Sequence, residues 1–120
     1  MRRDVERLQD ILEALDSVAQ MIAGRTEAEF LGDTTLCYAV AHRLTVVGEA
    51  AGRISRELTD AHSGVPWPDI VGLRNILVHQ YFGIHWPLVW KTASDDAPML
   101  RSRIAEILQE IHRGDASDER

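Results

Sequence analysis

The chain has little cysteine, few aromatics and a shortage of positive charge, and each scarcity removes a class of protein. Cys37 is the only cysteine among 120 residues, so no intramolecular disulfide and no cysteine-based metal site can form. It lies in an apolar helical pattern and reads as a buried packing residue. The longest apolar stretches, such as "LCYAVA", fall far short of the roughly 20 residues that cross a bilayer. The N-terminus "MRRDVERL" becomes charged helix where a signal peptide needs an uninterrupted apolar run. A cytoplasmic protein with no membrane partner is expected. There is no strand-like alternation, no repeat and no low-complexity tract. Lys and Arg number 13 against 19 Asp and Glu, for a net charge of -6. That balance excludes a broad cationic surface holding nucleic acid through many phosphates. Any nucleic-acid chemistry must rest on a small local cluster of positive charge.

What is present is a soluble mixture, 45% hydrophobic and 27% charged, long enough for one core and too short for two. Residues 1–113 are expected to form one helical domain and residues 114–120, ending in the polar "DASDER", a disordered tail. Val5, Leu8, Leu12, Leu15, Ala19 and Ile22 alternate steps of three and four, which predicts an amphipathic helix over about 3–23 with Gly24 as its stop. "GRTEAEFLGD" reads as a linker. Asp33 or Thr34 then caps a second long helix to about Ala61, with the stripe Leu36, Val40, Leu44, Val47, Ala51, Ile54 and Leu58. Inside it, "GEAAG" (Gly48 to Gly52) is rich in small residues, which favours close approach of a neighbouring helix, within the chain or between subunits. "SGVPWPD" is turn-rich and starts a third helix over about Asp69 to Phe82. A short "HWPLVWKTAS" element and a last helix with Leu100, Ile104, Ile107 or Leu108, and Ile111 on its stripe complete an all-α antiparallel bundle of four to five helices.

The third helix carries "RNILVHQY". At about 100° per residue, Ile70, Leu73, Ile76 and Leu77 gather on a core face. The opposite side collects Tyr81, Arg74, Val78, Phe82, Asn75 and His79. A solvated face has little use for Val78 and Phe82, so this face reads as a protein interface that also holds a polar site. Arginine presents a fork of donors suited to phosphate oxygens, and histidine moves protons near neutral pH. That pair suits phosphodiester cleavage in RNA, where the 2′-hydroxyl attacks the adjacent phosphorus. The reaction needs a base, an acid and positive charge for the transition state, and in principle no metal or cofactor. One copy supplies one such histidine, so a two-fold dimer bringing two copies of the face together would complete the set.

The segments "AVAHRLTVVGEAAGRIS", "VPWPDIVGLRNILVHQYFGI" and "VWKTASDDAPMLRSRIAEIL" together resemble HepT, the HEPN-superfamily toxin paired with an MntA-type minimal nucleotidyltransferase antitoxin. The resemblance runs from about Asp4 to Ile111, and its most specific part is the Arg-x4-His-x-Tyr motif at Arg74, His79 and Tyr81, with Asn75 after the arginine. It implies a dimeric HEPN bundle whose motif helices meet at the interface, forming a metal-independent ribonuclease site from both subunits. Arg74 and His79 would be catalytic and Asn75 a positioning residue. It further implies a type VII toxin–antitoxin pair in which the nucleotidyltransferase transfers AMP from ATP onto the Tyr81 hydroxyl and so blocks the site. The RNA cleaved, messenger or transfer, stays open. Departures from the family pattern are His85, where many relatives carry an acidic residue, and "DDAPML" in place of a leucine-proline run.

Other readings stand beside this one. Glu49, in the small-residue segment, either orients Arg74 or His79 across the bundle or makes a plain surface salt bridge. His42, His62 and His112 lack metal-ligand spacing and fit solvated or capping roles. Trp67, Trp86 and Trp90 are expected to pack helices rather than stack bases. The whole chain could instead be a non-catalytic module that docks a nucleotidyltransferase or its substrate, or a plain helical dimerisation domain.

Overall fold

The computed structural model describes residues 2–118; the side chains of Arg2, Tyr81 and residues 115–118 lie outside what it describes. Among the described residues there is no strand. The α-helices are α1 (Arg2–Ile22), α2 (Glu27–Leu31), α3 (Thr34–Ala51), α4 (Arg56–Ala61), α5 (Trp67–His79), α6 (Trp86–Lys91) and α7 (Ala97–Asp118). A 3-10 turn covers Tyr81–Gly83 and a π turn Thr92–Asp96. The predicted all-α bundle is therefore present. Of the tail expected at 114–120, the backbone of 114–118 continues α7, and 119–120 lie outside the described residues.

The core has two parts, and their membership fixes the helix directions. Leu8 and Ile11 of α1 pack with Val47, Ala50 and Ala51 of α3, with Trp67 of α5 and with Ile104, Ile107 and Leu108 of α7. Val18 of α1 packs with Leu36, Cys37 and Val40 of α3, with Leu77 of α5 and with Val89 of α6. The start of α1 thus meets the end of α3, and the start of α5 meets the end of α3, so consecutive long helices run antiparallel. Because α1 is flanked by both α3 and α7, its buried stripe is centred on Leu8, Ile11, Ala14, Leu15 and Val18. The expected stripe is corrected accordingly: Ala19 is exposed, and Val5, Leu12 and Ile22 are only partly buried.

The stripe expected from Leu36 to Leu58 is wholly buried, but the helix carrying it is interrupted. α3 begins where the Asp33 carboxylate accepts from the Leu36 N–H at 3.0 Å and ends at Gly52. Ser55 then caps α4, its Oγ accepting from the Leu58 N–H at 3.3 Å. The same serine donates its hydroxyl to Asp4 Oδ2 at 2.6 Å and its N–H to Asp4 Oδ1 at 2.9 Å. Asp4 is 6% exposed, so a buried carboxylate ties the start of α1 to the α3–α4 break. The linker expected after Gly24 also contains structure. Thr26 and Glu29 form a reciprocal capping box around α2, which drives Phe30 to full burial against Trp90, ring centroids 5.3 Å apart.

Cys37 is buried and its thiol donates to the Phe30 carbonyl at 3.2 Å; burial, and then the Asp33 carboxylate, push that thiol above its ordinary pKa. Trp67 starts α5 buried, its indole N–H donating to the His62 carbonyl at 3.0 Å. α5 packs on α3 and α7 on α1, which leaves an apolar groove of about 650 Å³ between them, floored by Leu15, Leu44 and Val47. Ile76, expected in the core, lies on this groove at 38% exposure.

A buried carboxylate holding two donors is costly to remove. Asp4→Ala should lower unfolding stability by about 1–3 kcal/mol, read as a drop in urea midpoint. Asp60→Ala, at a side chain 73% exposed, should stay within about 0.5 kcal/mol.

Candidate active site

Pro68 occupies the first turn of α5, where its missing N–H costs nothing, and Asp69 places negative charge at the same end. The helix ends at His79; the Gln80 N–H closes onto the Ile76 carbonyl at 2.9 Å, and the Gly83 N–H onto the Gln80 carbonyl at 2.9 Å. This corrects the expected end at Phe82. Tyr81 and Phe82 belong to a 3-10 turn, so their angular positions on an extended helical wheel do not apply. The Tyr81 side chain lies outside the described residues. Phe82 is 100% exposed and Val78 41%.

Arg74 is placed by how closely α5 approaches α3. A Cβ on Gly48 would sit 2.2 Å from the Arg74 Cβ and 3.1 Å from the Ile70 carbonyl oxygen. No larger residue fits there without displacing a helix. The stem of Arg74 therefore lies on the α3 backbone, and its guanidinium reaches the next residue, Glu49. Arg74 Nε donates to Glu49 Oε1 at 2.6 Å, and Nη2 contacts the same oxygen. Nη1 donates to Asn75 Oδ1 at 2.9 Å. The guanidinium has five N–H groups, so these contacts orient its plane while leaving donors to meet a phosphate. Asn75 is exposed, its carbonyl engaged and its amide N–H groups making no hydrogen bond among the described residues. The small-residue approach expected at "GEAAG" is thus an intrachain contact between α3 and α5.

Glu49, Arg74 and Asn75 are joined in one network. His79 is exposed at the end of the same helix, about 7.5 Å further along its axis by the rise per residue. Among the described residues no hydrogen bond links it to Arg74 or Asn75. His85, also exposed, is the residue before α6. Among the described residues no three His, Cys, Asp or Glu side chains come together as a metal site, and no helix is long and apolar enough to cross a membrane. In the sequence Gly48 stands out as one small residue among several and as part of the "GEA" stretch shared with the HepT pattern. Its pairing with Arg74 needs the helix crossing, which periodicity does not give.

The HepT-like ribonuclease family model matches residues 11–107. The chain belongs to the HepT-like ribonuclease family. Curated relatives cover nearly the whole molecule. One from Methanocaldococcus jannaschii, named "Putative RNase MJ1380", is 38% identical over 86% of this chain and 95% of its own length. One from Caldanaerobacter subterraneus subsp. tengcongensis, named "Putative RNase TTE0752", is 33% identical over 85% and 91%. A "Probable ribonuclease HepT" from Thermococcus cleftensis is 29% identical over 88% and 96%. No solved structure matches the chain. For this HepT-like chain, then, the motif arginine is one held by a carboxylate on the neighbouring helix.

The two glycines of the α3 segment should behave oppositely. Gly48→Ala forces α3 and α5 apart and should cost about 1–3 kcal/mol. Gly52→Ala, whose Cβ would meet nothing closer than 3.4 Å, should be neutral or stabilising by up to about 1 kcal/mol. Thermal melts of the two variants check the contrast.

Proposed function

We propose that this chain is a metal-independent endoribonuclease and the toxin of a type VII toxin–antitoxin pair. The observation that carries the reading is the Arg74 guanidinium, fixed by Glu49 and Asn75 yet with donors to spare, on a helix that ends in an exposed histidine. The 2′-oxygen of a nucleotide attacks the adjacent phosphorus and the bond to the 5′-oxygen breaks, leaving a 2′,3′-cyclic phosphate and a 5′-hydroxyl. A base takes the 2′-hydroxyl proton and an acid protonates the leaving 5′-oxygen; His79 serves in proton transfer. Arg74 offers its free donors to the phosphoryl oxygens as negative charge accumulates there. Asn75 holds the guanidinium by its carbonyl and can donate to the substrate by its amide, while Glu49 fixes the guanidinium plane from α3.

A second copy of the chain supplies the second proton-transfer group. The exposed Val78 and Phe82 beside His79 suit such a two-fold contact, since their apolar surface gains from cover. The substrate is cellular RNA, messenger or transfer. The antitoxin is a minimal nucleotidyltransferase that moves AMP from ATP onto the Tyr81 oxygen, releasing pyrophosphate. An adenylate placed two residues after His79 adds bulk and a phosphate that competes for Arg74.

Purified Arg74→Ala and His79→Ala proteins should lose at least about 100-fold in RNA cleavage while remaining dimeric by light scattering, with the wild-type rate insensitive to EDTA. Full activity in both variants would sink the reading. Intact mass after incubation with ATP, Mg²⁺ and the partner should rise in AMP-sized steps, and the Tyr81→Phe protein should show no rise.

A further inference from the structure

A second cleft, of about 350 Å³, lies between α1 and the end of α3, lined by Arg7, Asp10, Val46, Glu49, Ala50 and Arg53. Glu49 belongs to both this cleft and the Arg74 network, since the oxygen that holds Arg74 sits on a cleft-lining side chain. Arg74 pairs with Glu49 from α5, and Arg7 and Arg53 line the cleft into which the Glu49 side chain also faces. The cleft itself is lined by two arginines and two carboxylates, Asp10 and Glu49, and the second of these carboxylates is paired with Arg74, in a chain whose net charge is -6. Counting Arg74, the arginines outnumber the two carboxylates by one, a small local excess of positive charge in an acidic chain.

The two walls of the cleft are tied together at one end. Asp4 and Arg7 are one turn apart on α1, and Arg53 precedes Ser55 by two residues. The hydrogen bonds from Ser55 to the buried Asp4 therefore pin together the two segments that present the two arginines. Glu49 and Arg53 are likewise one turn apart on the α3 side, and the small Ala50 lies at the floor between them. Neither cleft arginine is tightly held. Arg7 reaches Asp10 only at 4.0 Å, with the aspartate side chain 52% exposed, a pairing worth little in water. Arg53 is exposed and makes no ion pair among the described residues.

We propose that Arg7 and Arg53 form a subsite for a backbone phosphodiester of the RNA strand next to the scissile one, a reading that rests on the ribonuclease function above. The strand passes from Arg74 over Glu49 into the α1–α3 cleft. Substrate longer than a dinucleotide then gains binding energy that the shortest substrate cannot reach. Contacts of this kind bind backbone rather than bases, so they favour single-stranded RNA without choosing its sequence.

The test uses the full chain with a dinucleoside monophosphate and a single-stranded ten-nucleotide RNA. In Arg53→Gln and Arg7→Gln the KM for the longer RNA should rise about threefold to tenfold with kcat nearly kept, and the rise should exceed that for the dinucleotide. The slope of log KM against log salt should fall by about 0.7 per arginine removed, as expected for one lost phosphate contact on a single strand. Arg53→Lys should recover part of the affinity. Equal losses on both substrates, or no loss on either, would overturn the subsite. Binding of the same ten-nucleotide RNA, 2′-O-methylated at every position so that no 2′-hydroxyl can attack, is measured in parallel by fluorescence anisotropy with the wild-type and Arg53→Gln proteins. If the wild type cuts neither substrate, the ribonuclease reading fails, and the subsite still stands or falls on whether Arg53→Gln weakens that binding.

Discussion

The approach of α5 to α3 at Gly48 is the constraint on which the rest of the site depends. Two helix axes come close when one offers no side chain at the crossing, and here the residue crossing Gly48 is Arg74 itself. Had α3 carried alanine, its methyl group would meet the Arg74 Cβ at 2.2 Å, so α5 and the stem of the arginine would have to shift relative to Glu49. Packing and polar geometry are thus set by one missing methyl group. The ion pair that results is partly exposed, at 27% and 42% of the two side chains, so it contributes little to stability. Its value is directional, since it settles which edge of a planar group faces outward.

Much of this bundle could be read from the chain because helical periodicity reports burial. Leu36, Val40, Leu44, Val47, Ala51, Ile54 and Leu58 keep one stripe and are all buried, even though the helix breaks among them. The break was hidden for the same reason: the stripe continues through Gly52 because Ile54 and Leu58 return to the same core by a different route. The tie that stabilises the break comes from Asp4, 51 residues away, and no local pattern announces it. By contrast, the capping box at Thr26 and Glu29 was local and present in "TEAE", outweighed by the polar look of its surroundings.

The motif helix shows the opposite failing. Its residues were identified by type and spacing, and Arg74, Asn75 and Glu49 do meet. Yet an ideal wheel carried past His79 gives Tyr81 and Phe82 positions that a helix ending at His79 cannot supply. Ile76 fell on the apolar side of the wheel, but α7 sits on α1 rather than on α5, so that side opens onto a groove. Periodicity tells which residues avoid water; the identity of the neighbour that shields them is a property of topology.

The π turn at Thr92–Asp96 joins α6 to α7 without a loop, the Ala97 N–H reaching back to the Thr92 carbonyl. A turn of this kind holds one residue more than an α-helical turn. Upstream, Val89 and Ala93 belong to one half of the core; downstream, Ile104 and Ile107 belong to the other. The extra residue acts as a phase shifter between the two halves. Descendants of this chain could rotate the α7 wall of the groove against α6 by gaining or losing a single codon there, a change of angle that no substitution on either helix would produce.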